Sequence, residues 1–306
     1  MRTIHLIFKT HLDVGFTDFA AAVLDRYLHQ YIPQAIATAR QVNRPDEPKR
    51  FVWTTGSWLI YEYLEQAAPE MRAAMERAIL DGEIVWHALP FTTHTELMDA
   101  DLFRFGLSLS QELDRRFGRR TIAAKMTDVP GHSRGIVPLL AEAGVQFLHI
   151  GVNPASRPPD VPPVFRWRGP GGAEVIVMYH KGSYGDWMTV PGLEEAIAFA
   201  HTNDNLGPQS IAEVNHAYQK LEAAFPGRQV CASTLDAFAR RSFANYCACA
   251  PVGIRRAGPR TDFTRVIGGS TLANIFVRLR WTAWITWLSF LQATCTWASD
   301  YIDISI

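Results

Sequence analysis

Cysteine is scarce in this 306-residue chain, and its four copies stand late, at Cys231, Cys247, Cys249 and Cys295. This is not the even spacing of a disulfide framework. Cys247 and Cys249 are also too close together for the usual two-residue spacer of a zinc knuckle. The sequence therefore predicts free thiols in a reducing compartment.

The chain also lacks an excess of charge of either sign, since Lys+Arg and Asp+Glu each count 30. This balance argues against a nucleic acid or an anionic membrane surface as partner and favours a small neutral one. The opening residues, MRTIHLIFKTHLD, are apolar over too short a stretch, interrupted by His5, Lys9 and His11, to form a signal-peptide core. We therefore expect a cytoplasmic protein.

Up to about residue 240, short β-branched or aromatic runs alternate with polar loops and helical stretches, which is typical of an α/β fold with a parallel sheet. Unusual polar residues gather just after the runs, where the loops of a parallel barrel open on one face. The predicted strands are RTIHLIFKT, FVWTT, EIVWHAL, TIAAKMTD, VQFLHIG, EVIVMYH, AIAFAHT and RQVCAST. We expect residues 1–240 to form one catalytic domain.

Residues 241–306 differ abruptly from the rest, with seven Arg but no Lys, Glu or His. We interpret this atypical tail as frameshifted or disordered sequence. The alternative is a membrane anchor at 281–298, an uncharged stretch at the short limit for a span and rich in Thr and Ser. We consider a membrane segment the weaker interpretation.

His11 and Asp13 stand two apart at the end of the first predicted strand, so an extended backbone points both side chains to one side. An imidazole and a carboxylate suit zinc, which needs at least a third protein ligand. The pair could equally be a surface loop with an Asp in a turn. Asp128 ends another predicted strand before a sharp turn at Pro130-Gly131, so this carboxylate could bind the metal and attack an anomeric carbon.

HLDVGFTD and TDVPGHSRGIVPLLAEAGVQFLHIG together resemble the two signature segments of glycoside hydrolase family 38, the α-mannosidases, in a divergent bacterial branch. The resemblance implies a seven-stranded β/α barrel related to polysaccharide deacetylases. It also implies a retaining enzyme in which His11, Asp13 and Asp128 bind zinc, Asp128 is the nucleophile, and the metal holds the 2- and 3-hydroxyls of mannose. The substrate would be a mannose-containing or related glycan.

Asp204 is the candidate general acid, because Thr202–Pro208 occupies the place of the family's acid-bearing loop. Asn-Asp-Asn-Leu-Gly-Pro is also a good turn sequence, so Asp204 could be purely structural. Asp186 is the other acid near a predicted strand end. A general acid should have its pKa raised by burial or by a neighbouring carboxylate.

The family takes a fourth ligand, a histidine, from beyond the barrel, whereas this chain has no histidine after His216. Either His94, His132 or His201 substitutes, or the metal site is incomplete and the chain is inactive as it stands. We favour the incomplete site. We expect His132 to orient Asp128 without binding the metal itself.

Two other functions remain open. A metal-dependent polysaccharide deacetylase-like hydrolase would use His and Asp on a related barrel, but the chain lacks the His-x3-His pair expected for it. The chain could also be an inactive, truncated sugar-binding remnant. Four tryptophans near predicted strand ends could stack on a sugar ring or belong to the core: Trp53, Trp58, Trp86 and Trp187.

Overall fold

The computed structural model describes residues 2–243, except 130, 153, 154, 156, 182 and 191. Strands and helices alternate along this part of the chain. Its strands β1 to β10 are Thr3–His11, Trp53–Gly56, Ile84–His87, Ala123–Thr127, Phe147–Gly151, Val164–Arg168, Glu174–His180, Trp187–Met188, Glu195–Asp204 and Gln229–Ala232. Its α-helices α1 to α8 are Ala20–Arg26, Ile32–Val42, Ser57–Gln66, Pro69–Leu80, Ala100–Phe117, Ile136–Glu142, Ile211–Ala224 and Leu235–Phe243.

Strand β1 is the centre of the first sheet, whose order is β3-β2-β1-β9-β8, with β10 beside the first half of β1. All of these strands run parallel except β8, which is antiparallel to β9. All nine residues of β1 are buried, as expected for a parallel strand covered on both faces. The carboxyl ends of β1, β2, β3 and β9 therefore meet at one edge of the sheet.

The second sheet has the order β4-β5-β7-β6. Its first three strands are parallel, and β6 is antiparallel to β7. Arg166 and Arg168 of β6 both pair with Glu174 of β7, at 3.4 and 2.6 Å. Neither β6 nor β8 is among the strands predicted from the sequence. Both are antiparallel additions at sheet edges: β6 alternates apolar residues with arginines, and β8 has only two residues, so neither gives a clear strand pattern.

The predicted α/β class is confirmed, whereas the closed seven-stranded barrel is not. Eight parallel strands occur, five in the first sheet and three in the second, and the outer edges of β7 and β9 pair with β6 and β8. Because those backbone groups already bond antiparallel neighbours, β7 and β9 do not pair with each other. The two sheets also meet where β3 of the first lies beside β4 of the second. There the Ala88 N–H donates to the carbonyl of Ala123 (2.9 Å).

Three of the tryptophans proposed as sugar platforms lie in the core instead. Trp53, Trp58 and Trp86 are at most 4% exposed. Trp53 and Trp86 pack in the main apolar cluster around β1, and Trp58 makes an edge contact with Phe91 at 5.3 Å between ring centroids. Trp187 is 37% exposed and is the one of the four that solvent reaches appreciably.

Local sequence sets where helix α7 begins and where helix α4 ends. Ser210 caps α7: its hydroxyl accepts from the Glu213 N–H, and the Glu213 carboxylate accepts from the Ser210 N–H, which together form a capping box. Gly82 stands after α4 with a φ of +72°, a conformation that favours glycine at a helix end. The start of α7 and the end of α4 thus fix where the adjoining loops meet the helices.

No helix among the described residues is both long and apolar enough to cross a bilayer. The candidate anchor at 281–298 lies outside the described residues, as does the tail after Phe243. Residues 241–243, with which the predicted tail begins, still belong to α8.

Candidate metal centre and active site

His11 and Asp13 lie together at the end of β1, both almost fully buried. Their side chains approach as the i, i+2 spacing predicts, with His11 Nε2 3.1 Å from Asp13 Oδ1. The other ring nitrogen, His11 Nδ1, lies 2.9 Å from the hydroxyl of Thr127. With its proton on Nδ1, the ring donates to Thr127 and leaves the Nε2 lone pair facing the carboxylates.

Asp128 follows β4 directly and reaches the same point from the second sheet. Its Oδ2 lies 3.8 Å from His11 Nε2, and its side chain is 26% exposed. Its φ of +61° is the left-handed conformation, which Asp tolerates better than most residues. One ligand atom from each of His11, Asp13 and Asp128 lies within 4.8 Å of the other two, so the three predicted ligands converge.

The donor set fits a divalent metal. One imidazole nitrogen and two carboxylates are ligands that zinc takes in catalytic sites, where three protein ligands leave a position open. The hydrogen bond from His11 to Thr127 fixes the ring as outer partners of metal ligands do. Thr127 Oγ1 in turn lies 3.1 Å from Thr92 Oγ1, which extends this support.

Asp204 ends β9 beside His11 because of an irregularity in the strand pairing. The register runs from Thr10↔Thr202 to His11↔Asp204, so Asn203 is an extra residue on β9. Such a bulge re-aims the side chains that follow it. Without it, Asn203 would face His11 in place of Asp204.

The pKa of Asp204 is raised above the ordinary aspartate value. Burial is the largest cause, and the carboxylates of Asp13 and Asp128 raise it further. His11 and a hydrogen bond from Tyr184 act in the opposite direction. Asp204 Oδ1 is buried and has no hydrogen-bond partner among the described residues. A carboxyl in this environment favours its protonated form at higher pH than usual, as the predicted general acid requires.

Tyr184 is a site residue that the sequence did not single out. Its ring centroid lies 4.7 Å from that of His11 and 5.6 Å from that of His201, and the carboxylates of Asp128 and Asp204 are close enough to act on it electrostatically. Burial and these two carboxylates raise the pKa of Tyr184, so it stays a protonated donor. Its carbonyl passes Gly151, where a Cβ would lie 2.4 Å from that oxygen.

Asn205 is a second missed residue, and it holds the loop that carries Asp13. Its side-chain oxygen accepts from the Asp13 N–H (3.0 Å), and its amide donates to the carbonyls of Asp13 (3.0 Å) and Gly15 (3.2 Å) and to the Thr17 hydroxyl (2.9 Å). The side chain that follows the candidate acid therefore positions a metal ligand. Asn-Asp-Asn was the available signal, interpreted from the sequence as a turn.

The remaining candidates do not join the metal cluster. His94, His132 and His201 are absent from the group of three ligand residues in the described chain. Neither ring nitrogen of His132 has a hydrogen-bond partner among the described residues, so the predicted support of Asp128 by His132 is not present as a hydrogen bond there. Asp186 is half-exposed and pairs with Lys220 at 3.5 Å.

Two lysines, Lys9 and Lys125, are buried in the interior below this site. Burial lowers the pKa of Lys9 to about 8 and that of Lys125 well below its ordinary value. Lys125 Nζ lies 3.0 Å from His149 Nδ1, donates to the Tyr184 carbonyl (2.6 Å), and stands 4.2 Å from the ring centroid of Phe199. Neither lysine makes an ion pair with a carboxylate of the described chain.

Comparisons with known proteins agree with the motifs and the fold. The family described as Glycosyl hydrolases family 38 N-terminal domain matches residues 1–233. The chain therefore belongs to glycoside hydrolase family 38 through that domain. No curated protein matches it.

Two solved structures share its fold. An alpha-mannosidase from Enterococcus faecalis V583 is 12% identical, with a TM-score of 0.64 over 84% of this chain and 30% of that one. A glycosyl hydrolase family 38 protein from Enterococcus faecalis is 10% identical, with a TM-score of 0.56 over 83% of this chain and 28% of that one. The chain thus spans about three tenths of the length of these relatives.

Proposed function

We propose that this chain carries the catalytic site of a retaining, metal-assisted α-mannosidase-like glycoside hydrolase acting on a mannose-containing or related glycan. The observation that carries the proposal is the convergence of His11, Asp13 and Asp128, from two sheets, within 4.8 Å. Family membership supports the hydrolase class. The name of the Enterococcus faecalis relative supports α-mannosides as the first substrates to test.

In this proposal His11, Asp13 and Asp128 hold the metal, with zinc expected from the mixed nitrogen and oxygen donors. When bound, the ion supplies Lewis-acid charge that orients sugar hydroxyls and stabilises developing negative charge. Thr127 fixes the imidazole, and Asn205 fixes the loop of Asp13. The metal-binding side chains are thus held before a ligand arrives, which lowers the cost of ordering them.

The two catalytic steps fall to Asp128 and Asp204. Asp128, partly exposed at the rim, attacks the anomeric carbon and forms the glycosyl-enzyme, while Asp204 protonates the departing oxygen and later activates water. The raised pKa of Asp204 suits the acid role. Tyr184 lies against His11, and the charges of Asp128 and Asp204 act on it, so its ring stands beside both the proposed nucleophile and the proposed acid.

The described residues provide three protein ligands, one fewer than the family's set implied by the resemblance. We propose that the chain as it stands binds zinc but lacks full activity, in line with the incomplete site expected from the sequence. We retain the cytoplasmic location as part of the proposal.

Zinc titration of the full chain, monitored by calorimetry, tests the metal centre without requiring turnover. We expect one site in the wild type and at least a 100-fold weaker site in His11→Ala, because a direct ligand matters more than an outer one, worth about 10–100-fold. His216→Ala, on the exposed side of α7, is the matched control. Wild-type affinity in His11→Ala would refute the centre.

Hydrolysis of p-nitrophenyl α-mannoside tests the chemistry. We expect any turnover to be abolished by EDTA and to fall about 10⁴-fold or more in Asp128→Asn, as for loss of other catalytic nucleophiles. Asp25→Asn, at an exposed surface pair with His29, is the control. Acetate release from acetylated glycans would indicate the deacetylase alternative. Zinc binding without turnover, beside an active full-length relative, would indicate a remnant.

A further inference from the structure

Helix α1 continues into α2 through a wider turn, the π-helical segment Tyr27–Tyr31. At its end the Ile32 N–H donates to the carbonyl of Tyr27, five residues earlier, whereas a regular α-helix uses the residue four earlier. The next residue is Pro33, whose ring has no N–H to donate and would clash with the His29 carbonyl in a regular α-helix. The sequence therefore accounts for the wider turn, a feature that is often found at functional sites.

Tyr27 is fully buried in the apolar cluster around β1, yet its hydroxyl has two polar contacts. It lies 3.3 Å from the carbonyl oxygen of His11 and 3.2 Å from Asn205 Oδ1, so one donor is shared between two acceptors. The same Asn205 oxygen accepts from the Asp13 N–H at 3.0 Å. One tyrosine hydroxyl thus contacts the backbone of the candidate ligand His11 and the side chain that holds the candidate ligand Asp13.

Tyr31 holds the backbone of the same asparagine. Its hydroxyl donates to the Asn205 carbonyl at 3.0 Å, and its ring packs so closely on the loop that a Cβ on Gly207 would lie 2.5 Å from Tyr31 Cδ1. Asn205 has a φ of +52°, a left-handed conformation that persists in a non-glycine residue only when its surroundings fix it. The rings of Tyr27 and Tyr31 meet edge-on, with 5.1 Å between their centroids. The two tyrosines therefore support this loop together.

We propose that Tyr27 and Tyr31 are positioning residues of the active site, which act through Asn205 to fix Asp13 and Asp204 relative to each other. Asp204 directly precedes Asn205 in the chain, and the Asn205 side chain bonds both the N–H and the carbonyl of Asp13. The roles of Asp13 as metal ligand and of Asp204 as acid rest on the proposed function, whereas the support of the loop by the two tyrosines does not.

Amide hydrogen exchange of the full chain in EDTA tests the support without metal or turnover. Tyr27→Phe removes only a hydroxyl, so the N–H groups of Asp13 and Asn205 should exchange about 5- to 10-fold faster, as for the loss of one hydrogen bond. Tyr63→Phe is the matched control, because Tyr63 is buried in the same apolar cluster but belongs to α3. Unchanged exchange at both amides, or equally faster exchange throughout the first sheet, would overturn the proposal.

Cobalt(II) in place of zinc gives a second, spectroscopic readout of the ligand geometry. We expect altered visible absorption of the cobalt-loaded chain in Tyr27→Phe and in Tyr31→Phe, and zinc affinities about 10-fold weaker by calorimetry, whereas Tyr63→Phe should match the wild type. Wild-type spectra and affinities in both variants would overturn the positioning role. A wild type that binds neither metal would instead refute the metal centre of the proposed function, and hydrogen exchange would then decide whether the tyrosines hold the loop.

Discussion

The residues at the strand ends include acidic side chains, and the interior just below them contains basic side chains, although the same strands supply both. Strand β1 contributes buried Lys9 and, two residues later, His11 of the metal cluster. Strand β4 contributes buried Lys125 and is followed directly by Asp128. The acidic residues follow closely along the chain, Asp13 four residues after Lys9 and Asp128 three after Lys125, so at most about 10–13 Å of extended chain separates a basic interior from an acidic opening.

The difference shows how depth determines which groups keep their charge. Burial lowers the pKa of Lys125 and of the neighbouring histidines His87, His149 and His201, so these groups can lose their protons and become neutral. The carboxylate of Asp128 is still partly exposed at the opening. A charged ligand set therefore belongs at the opening, above groups that can become neutral.

After the loss expected for Asp128→Asn, the next largest effect should come from Asp204, the second carboxylate at the opening. Asp204→Asn should lower kcat/KM for an unactivated mannoside about 10²–10⁴-fold, the usual contribution of a general acid. The loss should be smaller for the p-nitrophenyl glycoside, whose leaving group needs no proton. Steady-state kinetics on both substrates measure this.

The dependence of activity on pH shows in which protonation state Asp204 acts. Because Asp204 must be protonated and its pKa is raised, wild-type activity should fall as pH rises through that pKa, and Asp204→Asn should lack this limb. Asp186→Asn, at the half-exposed pair with Lys220, is the control. Leaving-group dependence in Asp186→Asn instead would transfer the acid role to Asp186.

A smaller effect should arise at the boundary between the two regions. Thr127→Val removes the acceptor of His11 Nδ1 but keeps the shape of the side chain, so zinc should bind about 10-fold more weakly. Thr54→Val is the matched control, since Thr54 is equally buried in β2 and its hydroxyl has no partner among the described residues. Calorimetric affinities that are equal in Thr127→Val and the wild type would remove Thr127 from the metal support.

A further effect concerns His132, whose lowered pKa makes it neutral when the chain is folded. Burial lowers the pKa of His132 to about 3, against 6.5 in an unfolded chain. The unfolded state therefore binds the proton first, and stability present above pH 6.5 is lost as pH falls toward 3. One such group changes the free energy of unfolding by at most about 1.4 kcal/mol per pH unit.

Denaturant unfolding at several pH values in EDTA measures this slope. His132→Gln should have a shallower loss of stability between pH 6 and about 4 than the wild type, by about one bound proton. His216→Gln controls for the loss of a histidine at the surface. An identical slope in His132→Gln and the wild type would mean that His132 is already charged in the fold.

Much of the fold and of the site follows from short-range sequence. Short β-branched or aromatic runs that alternate with polar loops and helical stretches predict the strands of a parallel α/β fold, and all eight predicted strands occur. The two-residue spacing of His11 and Asp13 predicts their convergence because strand geometry alone sets it. Asp128 could be selected because it ends a predicted strand, and Asp204 because its loop resembles the family's acid-bearing loop; the catalytic roles of both remain predictions.

The tertiary structure alone decided how those strands pair and which distant groups support the site. The extra residue Asn203 that turns Asp204 toward His11, and the edge strands β6 and β8 that take the pairing positions at which a ring would close, depend on neighbours in space. Tyr184 and Asn205 reach the cluster from more than 50 residues away along the chain. Sequence periodicity describes one element at a time, whereas pairing register and long-range hydrogen bonds are properties of two elements that only folding brings into contact.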